Sequence, residues 1–270
     1  MLLQLGLILV TTLGYPQSVS YPLVARYTAM GAYSKNFNDV LSFTSNQAVL
    51  GKMEALSAGV YSERRFLVEE LNLYTIALCF PGRFGGIGLS ARYSGYRSYS
   101  ETQLGLAYGK NLGRIDIGIQ FNYQAVHIPG YGKDGVISIE GGAILEISEQ
   151  LYAGLHVFNP TGSRFGKRHS EKLASIYTTG FGYEASEKVL ICIEILKEED
   201  KPVSINAGIN YVFAKKFFAR LGLFTETNSL YFGAGWKWNN LRIDVTTSYH
   251  AQLGFTPGLL FLFQRNSKEE

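Results

Sequence analysis

From Ala55 to Gln264 the chain repeats one theme: about ten residues in which apolar and polar side chains alternate, then a turn. In Arg114 to Tyr123, Ile115, Ile117, Ile119, Phe121 and Tyr123 point one way; Arg114, Asp116, Gly118, Gln120 and Asn122 point the other. Val203 to Phe213 sets Ile205, Ala207, Ile209 and Tyr211 against Ser204, Asn206, Gly208 and Asn210. Leu241 to Tyr249 repeats the pattern, with Arg242, Asp244, Thr246 and Ser248 on the polar side. Successive side chains leave a strand on opposite faces, so each segment is a strand with one apolar and one polar face.

About fourteen such strands can be counted, an even number as in bacterial barrels. They begin near Ala55, Leu71, Gly86, Ser100, Arg114, Val136, Leu151, Leu173, Val189, Val203, Phe217, Leu230, Leu241 and Pro257. Connections after even-numbered strands are tight: Gly109 to Gly113, Ser148 to Gln150, Ala185 to Lys188, Lys215-Lys216 and Asn239-Asn240. Those after odd-numbered strands are mostly longer: Ser62 to Glu70, His127 to Gly135, Asn159 to Lys172 and His250 to Thr256. Short turns on one rim and longer loops on the other are the asymmetry of outer-membrane barrels. A soluble sandwich has no reason to alternate its loops in this way. The predicted fold is all-β: a closed antiparallel transmembrane β-barrel over residues 55–264, preceded by a non-strand segment, 21–54, for which a helical plug is one form.

In hydrocarbon every backbone polar group must be paired, so only helices and closed barrels span. The apolar stripe therefore faces lipid. The polar stripe, with Arg92, Asp116, Gln120, Glu140, Arg220, Arg242 and Asp244, faces the lumen. An Arg on the lipid side at the midplane would cost about 2–4 kcal/mol. Tyr93, Tyr108, Tyr123, Tyr183, Tyr211, Phe213, Trp236 and Trp238, near strand ends, suit the interfacial girdles. Gly88, Gly105, Gly118, Gly154, Gly180, Gly182, Gly222 and Gly233 lie on the lumen stripe, where they leave room for a plug or a ligand, or ease strand curvature.

Composition agrees. Charged residues make up 17% and aromatic residues 14%, against about 25% charged in a soluble domain; mean hydropathy is +0.03. After residue 13 no run approaches the roughly 18 apolar residues of a spanning helix. Leu2 to Leu13 has the length of a signal-peptide core, although no Lys or Arg precedes it, and Ser18-Val19-Ser20 offers small residues for cleavage. Residues 1–20 are therefore read as a signal peptide and the destination as the outer membrane of a Gram-negative bacterium. A net charge of +3 without a basic, aromatic-interleaved face gives no sign of nucleic-acid binding. Cys79 and Cys192 form no C-x-x-C pair and read as two separately buried thiols, with a single disulfide as the alternative.

Residues 21–54 do not alternate. Ala29-Met30-Gly31, then Asp39, then Asn46-Gln47-Ala48 resemble the start of PorV/PorQ-type proteins, FadL-like barrels associated with the type IX secretion system of Bacteroidetes. Ala32 stands where that family usually has a second Gly, and Gln47 where it has Pro. The resemblance implies a non-enzymatic scaffold or adaptor acting on secretion-system components or secreted proteins. The alternative it implies is a FadL-like transporter of small hydrophobic compounds.

Enzymatic and metal motifs do not emerge. His127, His156, His169 and His250 lack a G-x-S-x-G or H-E-x-x-H context, and no cofactor is indicated. Gly82 to Gly88 sits between strands and reads as a turn, and Lys197 to Lys201 as a solvated loop. Arg164, Lys167, Arg168 and His169 make the longest loop basic, a candidate contact for lipopolysaccharide phosphates beside the lipid that surrounds the barrel. Residues 265–270 form a polar tail.

Overall fold

The computed structural model describes residues 30–165, 171–214 and 216–265. Residues 1–20 and most of the tail lie outside them. The alternating segments form strands β1 (Ser57–Arg64), β2 (Asn72–Phe80), β3 (Gly86–Tyr96), β4 (Tyr99–Asn111), β5 (Ile115–Ile128), β6 (Gly132–Glu146) and β7 (Leu151–Phe158). After a minute hairpin, β8 (Arg164–Phe165) and β9 (Glu171–Lys172), come β10 (Ile176–Ser186), β11 (Val189–Glu198), β12 (Ser204–Phe213), β13 (Phe217–Phe224), β14 (Ser229–Trp238), β15 (Leu241–His250) and β16 (Gly254–Gln264). Fourteen of them, all but β8 and β9, close into one antiparallel barrel. The seam is β1 on β16, from Ser57 opposite Gln264 to Glu63 opposite Gly258. Closure removes both edges, which satisfies the backbone in a solvent that cannot.

The outward stripe is predominantly apolar, with polar residues such as Arg64 and Lys197 at strand ends. Ile115, Ile117, Ile119, Phe121 and Tyr123 on β5 are exposed, while Asp116, Gln120 and Asn122 between them are buried. The same inversion runs round the wall, and in lipid the exposed stripe is the stable one. Near the tight turns of β12 to β15 the aromatic residues stack, Phe213 on Phe217 at 5.4 Å and Trp236 on Trp238 at 6.2 Å between centroids. Cys79 and Cys192 are buried and not bridged to each other, on β2 and β11, seven places apart in the ring of fourteen and therefore on opposite walls.

Two predicted loops turn out to be largely strand. His127 to Gly135 is occupied by the ends of β5 and β6, paired as far as Ile128 opposite Gly132, and β16 begins at Gly254, before the predicted Pro257. Beyond the membrane both faces of a hairpin meet water, so the ladder continues after the apolar stripe has stopped. Alternation marks where lipid ends, not where hydrogen bonding ends. Lys197 to Lys201 differs as well: Lys197 and Glu198 belong to β11, and Glu198 is buried.

Ahead of the barrel, residues 30–52 form three short 3-10 helices, η1 (Met30–Tyr33), η2 (Val40–Thr44) and η3 (Gln47–Lys52). The start of η2 is set by Asp39, whose side chain accepts from Leu41 N at 3.0 Å while Asp39 N donates to Ser42 Oγ at 3.1 Å. Asn46 opens η3 by accepting from Ala48 N at 3.1 Å. Both are capping residues that satisfy amides a helix start leaves open. The segment is buried, with Tyr33, Leu41, Phe43, Ala48 and Leu50 at 0–1% exposure, and it joins wall residues such as Tyr152, Leu260 and Leu262 in the main core cluster.

Candidate functional site: the filled lumen and its outer cavity

The half of the lumen near the tight turns is a cradle of glycine. A methyl group added at Gly182 would lie 1.8 Å from Tyr33 O, at Gly180 2.1 Å from the Tyr33 ring, and at Gly154 2.5 Å from it. At Gly142 it would meet Asn46 Oδ1 at 2.1 Å, at Gly118 the Gln47 carbonyl carbon at 2.3 Å, and at Gly86 Leu50 O at 2.3 Å. Glycine here lets the backbone of residues 30–52 lie directly against the wall, a close approach no other residue permits.

Polar bonds fasten the segment. Glu184, buried near the end of β10, accepts from Ser34 Oγ at 2.6 Å, Lys35 N at 2.7 Å and Asn36 N at 3.0 Å, and also from Asn36 Nδ2. Tyr33 OH donates to Glu194 Oε1 at 3.0 Å. Asn46 Nδ2 reaches the carbonyls of Leu155 at 3.1 Å and Ala143 at 3.4 Å. Lys52 Nζ sits 2.9 Å from Asp116 Oδ2 and 3.3 Å from Glu146 Oε2. Asp39 meets Arg242 at 3.5 Å; Arg242 grips Asp244 through Nε and Nη2, and Asp244 lies 3.3 Å from Arg220. Charge-assisted bonds of this kind are the strong ones in a low-dielectric interior.

Above the segment the wall carries long polar side chains. Glu140 Oε1 accepts from Gln120 Nε2 and Asn122 Nδ2, each at 2.7 Å, and its Oε2 lies 3.0 Å from His156 Nε2. Arg92 Nη1 donates to Gln103 Oε1 at 2.6 Å, and Gln103 Nε2 to Asn122 Oδ1 at 2.9 Å. Between this network and Thr44 of η2 is a cavity of about 10 Å³, room for roughly one water. Thr75 Oγ1 and Gln120 Oε1, both from residues lining it, have no hydrogen-bond partner among the described residues.

At the long-loop rim a larger cavity, about 50 Å³, opens beneath the β1–β2 connection. Tyr61, Phe66, Phe224 and Tyr231 give it aromatic walls, and Glu63 and Arg65 a charged corner. Phe224 and Tyr231 meet edge to face at 6.1 Å, as do Phe66 and His250 at 6.0 Å. Phe66 and Leu67 both have positive φ, 54° and 60°, an arrangement that costs about 1–3 kcal/mol per residue outside glycine and recurs at ligand clamps. Phe66 N donates to Thr256 Oγ1 at 3.0 Å and so holds the ring over the cavity. Across the lumen, Phe165 and Leu173 from the longest loop bury against Val136, Phe158, Ile176 and Leu196.

Of the residues singled out from sequence, the seven lumen candidates all point inward. Arg92, Gln120 and Glu140 meet in the middle network, whereas Asp116 and Arg242 bind the N-terminal segment and Asp244 joins Arg242 to Arg220. Gly31, Asp39, Asn46 and Ala48 lie within that segment, two of them as helix caps. Ala29, Lys167 and Arg168 fall outside the described residues, and Arg164 is exposed on β8. The cavity residues were not singled out: Ser62 to Glu70 reads as a loop, although Gly59, Tyr61 and Glu63 continue the inward alternation of β1.

No family model matches the sequence, and no curated protein matches it significantly. Solved structures do match in shape. The Pseudomonas putida toluene transporter TodX superposes with a TM-score of 0.64 at 9% identity over 91% of this chain and 98% of its own. The Ralstonia pickettii toluene transporter TbuX gives 0.61 at 9% over 93% and 100%. A Pseudomonas aeruginosa FadL homologue gives 0.58 at 9% over 88% and 97%. At such identities the likeness concerns the fold alone: this chain is a closed fourteen-stranded antiparallel β-barrel similar in architecture to these outer-membrane proteins.

Proposed function

We propose that the protein is a FadL-like channel that admits small hydrophobic or amphipathic molecules from outside the outer membrane. The observation that carries this reading is the vertical order of the lumen: an aromatic cavity at the long-loop rim, a polar middle, and a non-covalently fastened segment beneath. Convergent apolar walls with a few polar groups are what a small-molecule site requires. The toluene transporters of the same fold support the substrate class. In this scheme a ligand settles under Phe66 and passes on when residues 30–54 loosen from the glycine cradle.

The test is flux of a small aromatic hydrocarbon into proteoliposomes, with the segment locked or free. Asn46→Cys with Gly142→Cys places two sulfurs across the segment–wall contact. Uptake under reducing conditions that falls at least tenfold on oxidation is the expected result. Absence of uptake in both states overturns the channel. One observation favours a second reading, a PorV/PorQ-like scaffold: the lower lumen is packed with buried side chains and many polar ties. A locked barrel that sustains protein secretion in cells while passing no solute would establish that reading.

A further inference from the structure

The outer cavity is not the featureless apolar pocket that a pure hydrocarbon would ask for. Its charged corner is an ion pair in an aromatic wall: Arg65 Nε donates to Glu63 Oε1 at 2.9 Å, and Tyr61 OH donates to Glu63 Oε2 at 2.9 Å. Glu63 is 7% exposed and Tyr61 3%. The two charges cancel, so neither a cation nor an anion gains from the corner as a whole. Hydrogen-bonding capacity nevertheless remains. A carboxylate has about four acceptor positions and a guanidinium five donors; the described residues use two of the former and only the Nε of the latter. Hydrogen bonds to charged groups discriminate more strongly than contacts with apolar walls.

We propose that this cavity selects neutral single-ring aromatic molecules bearing a group that both donates and accepts, such as a phenolic hydroxyl. The ring lies between Phe66 and the Phe224–Tyr231 pair, and the hydroxyl bridges Glu63 and the terminal nitrogens of Arg65. This deepens the channel reading and rests on it for biological purpose, but the binding claim stands or falls separately. The space is about 50 Å³, well under the roughly 150 Å³ of an engineered site that encloses benzene, so a single ring enters only if Phe66 yields. The strained backbone at Phe66 and Leu67 is suited to such a movement.

The experiment compares phenol, toluene and benzoate binding to the detergent-solubilised full chain by calorimetry, with toluene flux in proteoliposomes measured in parallel. Phenol is expected to bind at least tenfold more tightly than toluene, and benzoate more weakly than phenol. Glu63→Gln and Arg65→Met are each expected to lower phenol affinity at least tenfold, and retention of heat-modifiable gel mobility shows that the variants are folded. Equal affinity for phenol and toluene, or benzoate as the best ligand, overturns the selectivity even if toluene flux persists and the channel stands. No binding of any of the three overturns the site, and loss of flux as well takes the channel reading with it.

Discussion

The two halves of the lumen solve opposite problems. Near the tight turns the wall is stripped to Gly154, Gly180 and Gly182, and Tyr33 presses against bare backbone. Near the long loops the wall keeps large side chains, Tyr61, Phe224 and Tyr231, and leaves space between them. The lower half is specified by shape, since a single methyl group collides. The upper half has space between its side chains, and its charged groups are held in pairs such as Glu63 with Arg65 and Glu140 with His156. A barrel of this size has more interior than fourteen strands of lumen side chains can fill. Residues 30–52 fill one half, and the described residues leave a cavity of about 50 Å³ in the other.

The most damaging change should be Gly182→Leu. Its first side-chain carbon would lie 1.8 Å from Tyr33 O; overpacking typically costs about 1–3 kcal/mol, and a collision with backbone should fall at the upper end. Residues 30–54 should become susceptible to protease while the barrel keeps its heat-modifiable gel mobility. The same residue placed above, Ser248→Leu in the cavity wall, should change stability by less than about 1 kcal/mol. Equal effects at the two positions would erase the distinction between the halves.

Next in size is Glu184→Ala, which strips the acceptor from Ser34, Lys35 and Asn36. Leaving those donors without their charged partner should weaken docking of the segment by about 2–3 kcal/mol, read as faster amide exchange at Lys35 and Asn36. Exchange unchanged at both would mean that the glycine cradle alone holds the segment. Thr75→Val addresses the middle of the lumen and should stabilise by up to about 1 kcal/mol, because it replaces a buried hydroxyl without a partner among the described residues by a methyl group of the same shape. A clear loss in thermal stability would instead show that the hydroxyl is needed there.

The smallest effect concerns the outer loops. Lys172 donates to Glu199, and this hydrogen bond holds the Glu199 carboxyl below its ordinary value. A carboxyl lowered on folding contributes stability that is present above its unfolded value, about 4.3, and lost as pH falls through the lower folded value. The clasp should therefore persist at neutral pH and open only in acid, seen as exchange of the Glu199 amide, which donates to Ser175 O at 3.1 Å. Exchange that does not respond to acid would show that the backbone alone secures this loop. The pair is exposed, so global stability should barely move.

Much of this molecule is written in local periodicity. Strands beginning at Gly86, Leu151, Val189, Phe217 and Leu241 stand where alternation places them, because a strand that faces lipid on one side must show that side in its sequence at every second residue. The inward turn of Asp116, Gln120, Glu140 and Asp244 follows from the same rule. The ends of β5 and β6 escaped it, since water on both sides imposes no pattern. The caps Asp39 and Asn46 could be noticed as residues, but not as caps, because the short helices they start carry no apolar period of their own.

What the sequence by itself determined was therefore the wall: its strands, its lipid face and its two unequal rims. Only the tertiary structure decided what the wall encloses. Ser34 meets Glu184 across 150 positions and Asp39 meets Arg242 across 203. Likewise the cavity at Glu63 and Arg65 exists only because β1 closes on β16 and brings β13 to β16 round to the first loop. The physical reason is one of range. The bilayer acts on each residue separately and leaves its mark residue by residue, whereas the lumen is a set of encounters between distant segments that no local pattern records.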